Sequence, residues 1–296
     1  MRLVRFAADG VEGLGVLDPV GESVVSVDSV VGKGAGSDLS TLLEGWTPAL
    51  AEALGSAGKL GGGRPLTGVR LLAPCAPVRR NVFCVGKNYR EHVAEIERSG
   101  FVAATQGPPL RPAIFTKATT AVIGPEEGIP AHAGVTSAID YEAELAVVIG
   151  PGGHAIPAEK AWEHVFGYTI LNDVTARDLQ RDHQQWFLGK SLDGFCPVGP
   201  YVATRDELDG ANLELRCWVN GELRQSANTG ELITDIPTLI ATISAAITLL
   251  PGDLIATGTP QGVGVGFDPP RFLSVGDEVT IEISGLGRLS NRVVAG

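Results

Sequence analysis

The chain has 296 residues, of which 44% are hydrophobic and 19% charged, a balance typical of a packed globular protein. Its net charge of −11 argues against a nucleic-acid partner and against binding to an anionic membrane. We find no apolar run of membrane-spanning length and no apolar core of a signal peptide near the N-terminus. The 4 cysteines form no C-x-x-C pair and are expected to be reduced thiols. We therefore expect a soluble, cytoplasmic protein.

Residues 1–70 are predicted to form a small N-terminal α/β domain. Short alternating segments at 3–6, 15–17 and 24–27 are typical of a small antiparallel sheet. Apolar residues at helical spacing predict a helix over 39–50, in which Thr41 and Glu44 could form a capping box. The glycine-rich segment 58–65 is typical of a linker, so we place a domain boundary near residue 70, with a larger domain over 71–296.

The larger domain is predicted to be rich in strands, which makes the fold class mixed and β-rich, of the α+β type. Asn220-Gly221 predicts a hairpin turn after the alternating segment 213–219. Residues 99–112 lack periodicity and predict a mobile loop. Helices are predicted over 89–98, from about 157, over 176–187 and over 237–250. The other predicted strands cover residues 81–86, 113–115, 144–149, 168–171, 254–257, 278–283 and 288–294.

A buried apolar strand in this domain begins with carboxylates two residues apart. Because side chains alternate along a strand, Glu142 and Glu144, with Asp140 behind them, are expected on one face. Like charges held so close repel and are costly to desolvate, and a bound cation removes that cost. Asp173 adds a third carboxylate at the end of another predicted strand. This all-oxygen set suits a hard cation, first Mg²⁺, with Mn²⁺ or Ca²⁺ as alternatives. A solvated strand face would fit the same spacing.

Two further patterns could carry chemistry. His92 and Glu95 stand three apart on one face of a predicted polar helix, and a carboxylate beside an imidazole orients it as a general base. Lys190, flanked by Gly189 and Ser191, could polarise a carbonyl or hold a carboxylate, and Lys117 is a similar candidate. Each of these patterns alone also fits a solvated surface.

The segment 257–264, T-G-T-P-Q-G-V-G, is a loop of small residues at a predicted strand end. Its backbone N–H groups and hydroxyls could bind a carboxylate, although a plain tight turn has the same composition. No Gly-Lys-Ser/Thr follows it, and its glycines do not match G-x-G-x-x-G. Nucleotide binding is therefore poorly supported.

Five segments together resemble, in their order and spacing, the motifs of the fumarylacetoacetate hydrolase family. Segment 85–95, V-G-K-N-Y-R-E-H-V-A-E, is similar to the G-x-N-Y-x-x-H-x-x-E opening of that family. The resemblance spans about residues 80 to 294 and points to the branch of acylpyruvases and 2-hydroxyhepta-2,4-diene-1,7-dioate isomerases. The other four matches are 139–145 (I-D-Y-E-A-E-L) with D-x-E-x-E-L, 170–178 (I-L-N-D-V-T-A-R-D) with N-D-x-T-x-R-D, 185–197 with the lysine motif, and 257–264 with the closing loop.

The resemblance implies a rolled β core with a small N-terminal domain, a homodimer, and a Mg²⁺ or Mn²⁺ site. It assigns the metal ligands as Glu142, Glu144 and Asp173, and it makes His92 with Glu95 a dyad that activates water on a lid over the substrate. It further implies that Lys190 contacts the oxo or enolate oxygen of the substrate, that Thr259 and its neighbour Gly258 hold the substrate carboxylate, and that Lys117 assists.

The function that the resemblance implies is metal-dependent hydrolysis of a C–C bond in a small acylpyruvate-type 2-oxo acid through an enolate. Decarboxylation of oxaloacetate and isomerisation of a 2-hydroxymuconate or hepta-diene-dioate are alternatives on the same scaffold. A non-catalytic binder of a metal–oxo-acid complex is an alternative of another class. The chain departs from the family at 193–195, D-G-F in place of D-T-F, and in the long segment 96–112. Both departures leave the identity of the substrate open.

Overall fold

The computed structural model describes residues 1–60, 62–100 and 111–296. Strands dominate the described part of the chain. They are β1 (Arg2–Ala8), β2 (Val11–Leu17), β3 (Ser23–Ser26), β4 (Arg64–Pro65), β5 (Arg70–Leu72), β6 (Val82–Gly86), β7 (Ala113–Lys117), β8 (Val122–Ile123), β9 (Ile129–Pro130), β10 (Ile139–Asp140), β11 (Ala143–Ile149), β12 (Val165–Asn172), β13 (Thr175–Ala176), β14 (Cys196–Thr204), β15 (Glu214–Val219), β16 (Glu222–Asn228), β17 (Leu254–Ala256), β18 (Glu278–Ile283) and β19 (Gly287–Val294).

The helices are short. Over the described ranges, no helix is long and apolar enough to span a bilayer. The α-helices are α1 (Val27–Val31), α2 (Leu39–Glu44), α3 (Pro48–Leu60), α4 (Arg90–Ser99), α5 (Arg177–Asp182), α6 (Phe187–Lys190) and α7 (Ile236–Ser244), and the 3₁₀ helices are Leu66–Gly68, Thr119–Ala121, Ala158–His164, Arg205–Glu207, Thr229–Glu231 and Gly264–Gly266.

The main sheet has 12 strands, with β11 and β12 near its centre. Every residue of β11 is buried, and its side chains enter two separate cores. Leu145 and Val147 point into the larger core, whereas Ala146 and Val148 point into a second core that contains Leu54 of α3. A strand that is covered on both faces needs apolar residues at every position. This explains the continuous apolar run that the sequence shows there.

A second sheet, in the order β16-β15-β18-β19-β9, covers the larger core. This sheet buries one face, as β18 shows by its alternation of half-buried and buried residues. Leu215 of β15 and Ile281 of β18 belong to the same core as Leu145. The predicted hairpin is confirmed, since Asn220 and Gly221 join β15 to β16. This hairpin brings β16 over the beginning of β11.

Three predicted helices have different bounds in the structure, and one of them, predicted over 176–187, ends at Asp182. The helix predicted over 39–50 is divided into α2 and α3 before Pro48, because the residue that precedes a proline avoids the helical conformation. The capping box of Thr41 and Glu44 was wrong: Asp38 is the N-cap and accepts a hydrogen bond from Thr41 N (2.8 Å). The helix predicted to end at residue 250 ends at Ser244, whose carbonyl accepts from Ala155 N (2.6 Å).

The N-terminal strands join the main sheet directly, because β1 pairs with β14. Of the segment predicted as a linker, residues 58–60 form the end of α3 and residues 64–65 form β4, which pairs with β3, so these residues are regular structure. The glycine at 63 permits a close approach there, as a Cβ would lie 2.3 Å from Val24 O. The division into two domains near residue 70 stays a prediction. The loop predicted over 99–112 lies for the most part outside the described residues.

The close approach of β12 and β14 requires a glycine at position 167. A Cβ at this position would lie 2.1 Å from Ala203 O, which belongs to the backbone of the neighbouring strand. We expect Gly167→Ala to lower the free energy of unfolding by about 1–3 kcal/mol, measured by urea denaturation. Gly55→Ala is the matched control, because nothing lies near its added Cβ and the change should stabilise α3 by up to about 1 kcal/mol. Equal effects of the two changes would contradict this packing.

Candidate active site

Three carboxylates from two paired strands meet in the interior. Glu142 immediately precedes β11, Glu144 is the second residue of β11, and Asp173 follows β12. All three side chains are buried, and each offers a carboxylate oxygen within 4.8 Å of the others. The strand ends are held together because Asp173 N donates to Glu142 O (2.8 Å) and Glu142 N donates to Asn172 Oδ1 (3.1 Å). The structure thus brings the three predicted metal ligands together.

Basic side chains contact two of these carboxylates. Lys190 Nζ lies 2.6 Å from Glu142 Oε2 and 2.9 Å from Asp173 Oδ2. Arg177 Nη2 lies 2.8 Å from the other Glu142 oxygen. Lys117 Nζ lies 2.5 Å from Asp173 Oδ1. Glu144 differs, because its Oε2 accepts a hydrogen bond from Gly258 N (2.7 Å) and no ion pair reaches it within the described ranges.

This unequal pairing separates the acidities of the two glutamates. Burial would raise the pKa of Glu142, but the charges of Lys190 and Arg177 outweigh burial and lower that pKa to about 2. Burial, together with the negative charges of Asp173 and Glu142, raises the pKa of Glu144 well above its usual range. Glu144 is therefore a buried carboxyl group that no basic side chain of the described residues contacts directly, and the nearby charge of Lys190 does not outweigh its burial. An all-oxygen set with this deficit fits a hard divalent cation, which Glu142, Glu144 and Asp173 could hold.

His92 and Glu95 are both buried on α4, so the polar face of this helix is not a solvated surface at these two positions. His92 Nδ1 lies 3.3 Å from Glu95 Oε2, and Glu95 Oε1 accepts a hydrogen bond from Gly262 N (2.9 Å). A Cβ at Gly266 would lie only 2.2 Å from Glu95 Oε1, so a glycine there leaves room for the carboxylate. The closing loop therefore holds the dyad in place.

His92 of the dyad and two of the carboxylates, Glu142 and Glu144, line one small cavity of about 30 Å³. Phe115 and Trp186 form an apolar wall, with their rings edge to face at 5.3 Å. Lys190 Nζ lies 5.1 Å from the centre of the Phe115 ring. The residues that line the cavity are Val85, Gly86, Lys87, His92, Ile96, Phe115, Glu142, Glu144, Arg177, Gln180, Trp186, Lys190 and Thr259.

Two of the predicted substrate-binding residues take other positions. Lys117 is completely buried beside Asp173 and also donates to Val174 O (2.9 Å), and it is not among the residues that line the cavity. Gly258 contributes its N–H to Glu144 and likewise does not line the cavity. Thr259 does line it. The structure therefore places Lys117 and Gly258 behind the carboxylates, where Lys117 contacts Asp173 and Gly258 contacts Glu144.

Asp140 does not join the two glutamates, contrary to the sequence-based expectation. The strand is interrupted after Asp140, because β10 pairs with β13 in a separate two-stranded sheet. Asp140 instead accepts from Arg177 Nε (2.8 Å), Gly264 N (2.6 Å) and Val265 N (3.0 Å). It thus positions Arg177 against Glu142 and anchors the closing loop.

Sequence reasoning assigned no role to several residues that the structure places at the site. Arg177 stands in the matched segment 170–178, so its motif position was a usable signal. Gln180 and Trp186 line the cavity from α5 and from the turn before α6. Gln225, on the distant β16, contacts Thr259 at 2.8 Å, and nothing in the local sequence marks it.

Known proteins resemble this chain over most or all of its length. The family model described as "Fumarylacetoacetate (FAA) hydrolase C-terminal" matches residues 81–294. A protein named oxaloacetate tautomerase YisK, from Bacillus subtilis (strain 168), is 48% identical over 229 residues, which are 77% of this chain and 74% of that protein.

Solved structures agree with the observed fold. A structure titled fumarylacetoacetate hydrolase, from psychrophilic Exiguobacterium antarcticum, is 43% identical with a TM-score of 0.85 and covers 100% of both chains. A 2-hydroxyhepta-2,4-diene-1,7-dioate isomerase from Mycobacterium marinum is 37% identical with a TM-score of 0.73, covering 100% of this chain and 98% of that one. The mixed, β-rich class predicted from the sequence is confirmed.

The variant Glu144→Gln should have opposite effects on stability in the absence and in the presence of a bound metal. The raised pKa means that the folded state holds the Glu144 proton more tightly than the unfolded chain, so the metal-free wild type loses stability as the pH rises from the unfolded pKa through the raised one. The metal-free variant lacks this loss, and at neutral pH we expect its Tm to equal or exceed that of the wild type.

Mn²⁺ should reverse the order of the two Tm values, so that the wild type becomes more stable than Glu144→Gln. At 100 times its Kd, a bound ion stabilises the wild type by about 2.7 kcal/mol, and we expect Glu144→Gln to lose most of this gain. Thermal unfolding in EDTA and in MnCl₂ measures both effects. The exposed Glu163→Gln is the control and should behave like the wild type. Full stabilisation of Glu144→Gln by Mn²⁺ would remove Glu144 from the ligand set.

Proposed function

The chain belongs to the fumarylacetoacetate hydrolase family, as its motifs indicated, and from this premise we propose that it catalyses the enolisation of a small 2-oxo acid with a divalent cation. One observation carries the proposal: His92, which is paired with the buried Glu95, lines the same cavity as Lys190 and as Glu142 and Glu144 of the carboxylate cluster. A base, a fixed positive charge and a cation site are what removal of a proton beside a carbonyl needs. We propose Mg²⁺ as the ion.

The substrate is held between the carboxylate cluster and the closing loop. A divalent cation at Glu142, Glu144 and Asp173 would supply Lewis-acid polarisation of the substrate oxygens. Thr259 lines the cavity and offers its hydroxyl to the substrate carboxylate. Phe115 and Trp186 bound the space left for the carbon chain and limit its length.

Lys190 stabilises the negative charge that develops on the 2-oxo oxygen. Burial would lower the pKa of its ammonium, but the carboxylates of Asp173 and Glu142 outweigh burial and raise that pKa. Lys190 therefore stays protonated and donates a hydrogen bond to the oxygen as it becomes an enolate. A group with a raised pKa is poorly suited to act as the base. The proton acceptor must be another residue.

His92 is the proton carrier. Glu95 Oε1 is occupied by Gly262 N, so Glu95 Oε2 is left to accept from His92 Nδ1–H, which leaves the His92 Nε2 lone pair for the cavity. In the tautomerisation, Nε2 takes a proton from the carbon beside the 2-oxo group and returns it to the enolate oxygen. Glu95 stabilises the imidazolium that forms between these two steps. A non-catalytic binder would not need such a dyad.

Oxaloacetate is the first substrate to test. The relative from Bacillus subtilis is named an oxaloacetate tautomerase, which makes this short 2-oxo acid the first choice. Hydrolysis of an acylpyruvate is the second candidate, since one solved relative is titled a fumarylacetoacetate hydrolase and the same dyad could activate water. Decarboxylation and diene-dioate isomerisation share the enolate and remain alternatives. The predicted homodimer stays a prediction.

The reaction can be identified with purified protein and Mg²⁺. Enol-oxaloacetate, acetylpyruvate and a 2-hydroxymuconate are offered separately, and enol absorbance and pyruvate release are followed together. Faster loss of the oxaloacetate enol without pyruvate supports tautomerisation, and EDTA should abolish it. Pyruvate from acetylpyruvate would instead support C–C hydrolysis. No turnover of any of the three substrates would contradict the proposal.

The dyad can be tested apart from the metal. We expect His92→Ala and Glu95→Ala to lower kcat/KM by about 100-fold or more, because a positioned general base contributes about 10²–10⁴. The Kd for Mn²⁺ should stay within about twofold, whereas Glu142→Ala should abolish Mn²⁺ binding. Glu91→Ala, an exposed position on the same helix, is the control and should keep full activity. Undiminished turnover in both dyad variants would refute the assignment of His92 as the base.

A further inference from the structure

Gln225 is a buried amide on β16 that reaches the site from the second sheet. Its Nε2 lies 2.8 Å from Thr259 Oγ1 and 2.8 Å from Pro260 O. Its Oε1 accepts a hydrogen bond from Ala143 N (3.0 Å). The side chain is 1% exposed, so these contacts are made without competition from bulk water.

The orientation of this amide is set by two backbone groups. Ala143 N–H can only donate, so the oxygen of the amide must face it. Pro260 O can only accept, so the NH₂ group must face the closing loop. The reverse orientation would leave a buried N–H and a buried C=O opposite like groups, which is costly. The NH₂ group therefore donates to both Pro260 O and Thr259 Oγ1.

This orientation fixes the role of the Thr259 hydroxyl. An amide N–H cannot accept a hydrogen bond, so Thr259 Oγ1 accepts from Gln225, and the Thr259 proton remains available to donate elsewhere. Thr259 lines the cavity, where a ligand with an acceptor atom can take that hydrogen bond. An ionised carboxylate, which only accepts, is the matching chemical class.

We propose that Gln225 is a positioning residue that holds the Thr259 hydroxyl as a donor for the substrate carboxylate. Through Ala143, the same amide also fixes the backbone between the carboxylates of Glu142 and Glu144. One side chain thus sets the distance between the carboxylate-binding hydroxyl and the metal ligands. The inference rests on the proposed function, since it needs a 2-oxo acid in the cavity, and it adds a residue that lies outside the matched motif segments.

The informative variant is Gln225→Glu. It preserves the shape of the side chain and an oxygen for Ala143 N, but it replaces the NH₂ donor by an acceptor. The Thr259 hydroxyl then donates to Glu and is withdrawn from the cavity. We measure the Kd of Mn²⁺ and, at saturating Mn²⁺, the Kd of oxalate and of pyruvate by titration calorimetry. Gln184→Glu, the same chemical change at an exposed position, is the control and should leave all constants unchanged.

We expect the oxalate Kd of Gln225→Glu to rise about tenfold, which corresponds to the loss of one hydrogen bond to a charged ligand. The Mn²⁺ Kd should change little, whereas the Tm should fall, because a carboxyl oxygen then faces the buried Pro260 O. Thr259→Val should weaken oxalate binding similarly, Thr259→Ser should retain it, and Gln225→Glu should add less than about twofold in the Thr259→Val background. This coupling is a signature that a merely structural role for Gln225 would not give.

Two results would overturn the inference while leaving the proposed function intact: wild-type oxalate affinity in Gln225→Glu, or an undiminished effect of Gln225→Glu when Thr259 is valine. A wild-type protein that binds Mn²⁺ but neither oxalate nor pyruvate would refute the proposed function itself, and the role of Gln225 with it. The two failures are distinguishable because the first appears only in variants and the second already appears in the wild type.

Discussion

The structure depends on how buried negative charge is compensated. Glu142 and Asp173 are contacted by Lys190, Asp173 also by Lys117, and Asp140 and Glu142 share Arg177. Removing one partner of such a network leaves an unpaired buried charge, which is strongly destabilising. Glu144 is the member that, among the described residues, receives only a backbone hydrogen bond. The network therefore combines permanent compensation by lysine and arginine with one deficit that a divalent cation can fill.

The fold supplies this arrangement by joining elements that are far apart in sequence. The strands β11 and β12 bring Glu144 and Asp173 together because they pair at the centre of the sheet. The closing loop after β17 meets α4 through Gly262 and Glu95, and it meets β16 through Gln225. The elements that form the site are held together by backbone hydrogen bonds and buried amides. A small displacement of one of the surrounding sheets would therefore move residues of the site. The many buried polar contacts around the cavity keep these elements in place.

The sequence predicted those features of the fold and of the site that depend on local sequence patterns. The apolar run of β11, the Asn220-Gly221 hairpin and the carboxylate spacing all follow from side-chain alternation or turn chemistry, and the structure agrees with them. Sequence patterns gave wrong predictions where contacts between residues far apart in the sequence determine the structure. Asp140 left the predicted face because β10 pairs separately. The carbonyl of Ser244, the last residue of α7, accepts from the distant Ala155 N, and Gly63 packs closely against Val24 where a linker was predicted. Gln225 could not be found at all, because only the tertiary fold brings it to Thr259.

The proposed metal site can be tested most directly by the anomalous scattering of crystals grown from metal-free protein and soaked in MnCl₂. We expect one strong Mn²⁺ peak at the cavity, coordinated by carboxylate oxygens of Glu142, Glu144 and Asp173, with Lys190 still close to Glu142. The carboxylate of Glu144 is the decisive ligand, because among the described residues no basic side chain pairs with it. An empty carboxylate cluster at saturating Mn²⁺, or a bound ion that Glu144 does not touch, would contradict the account.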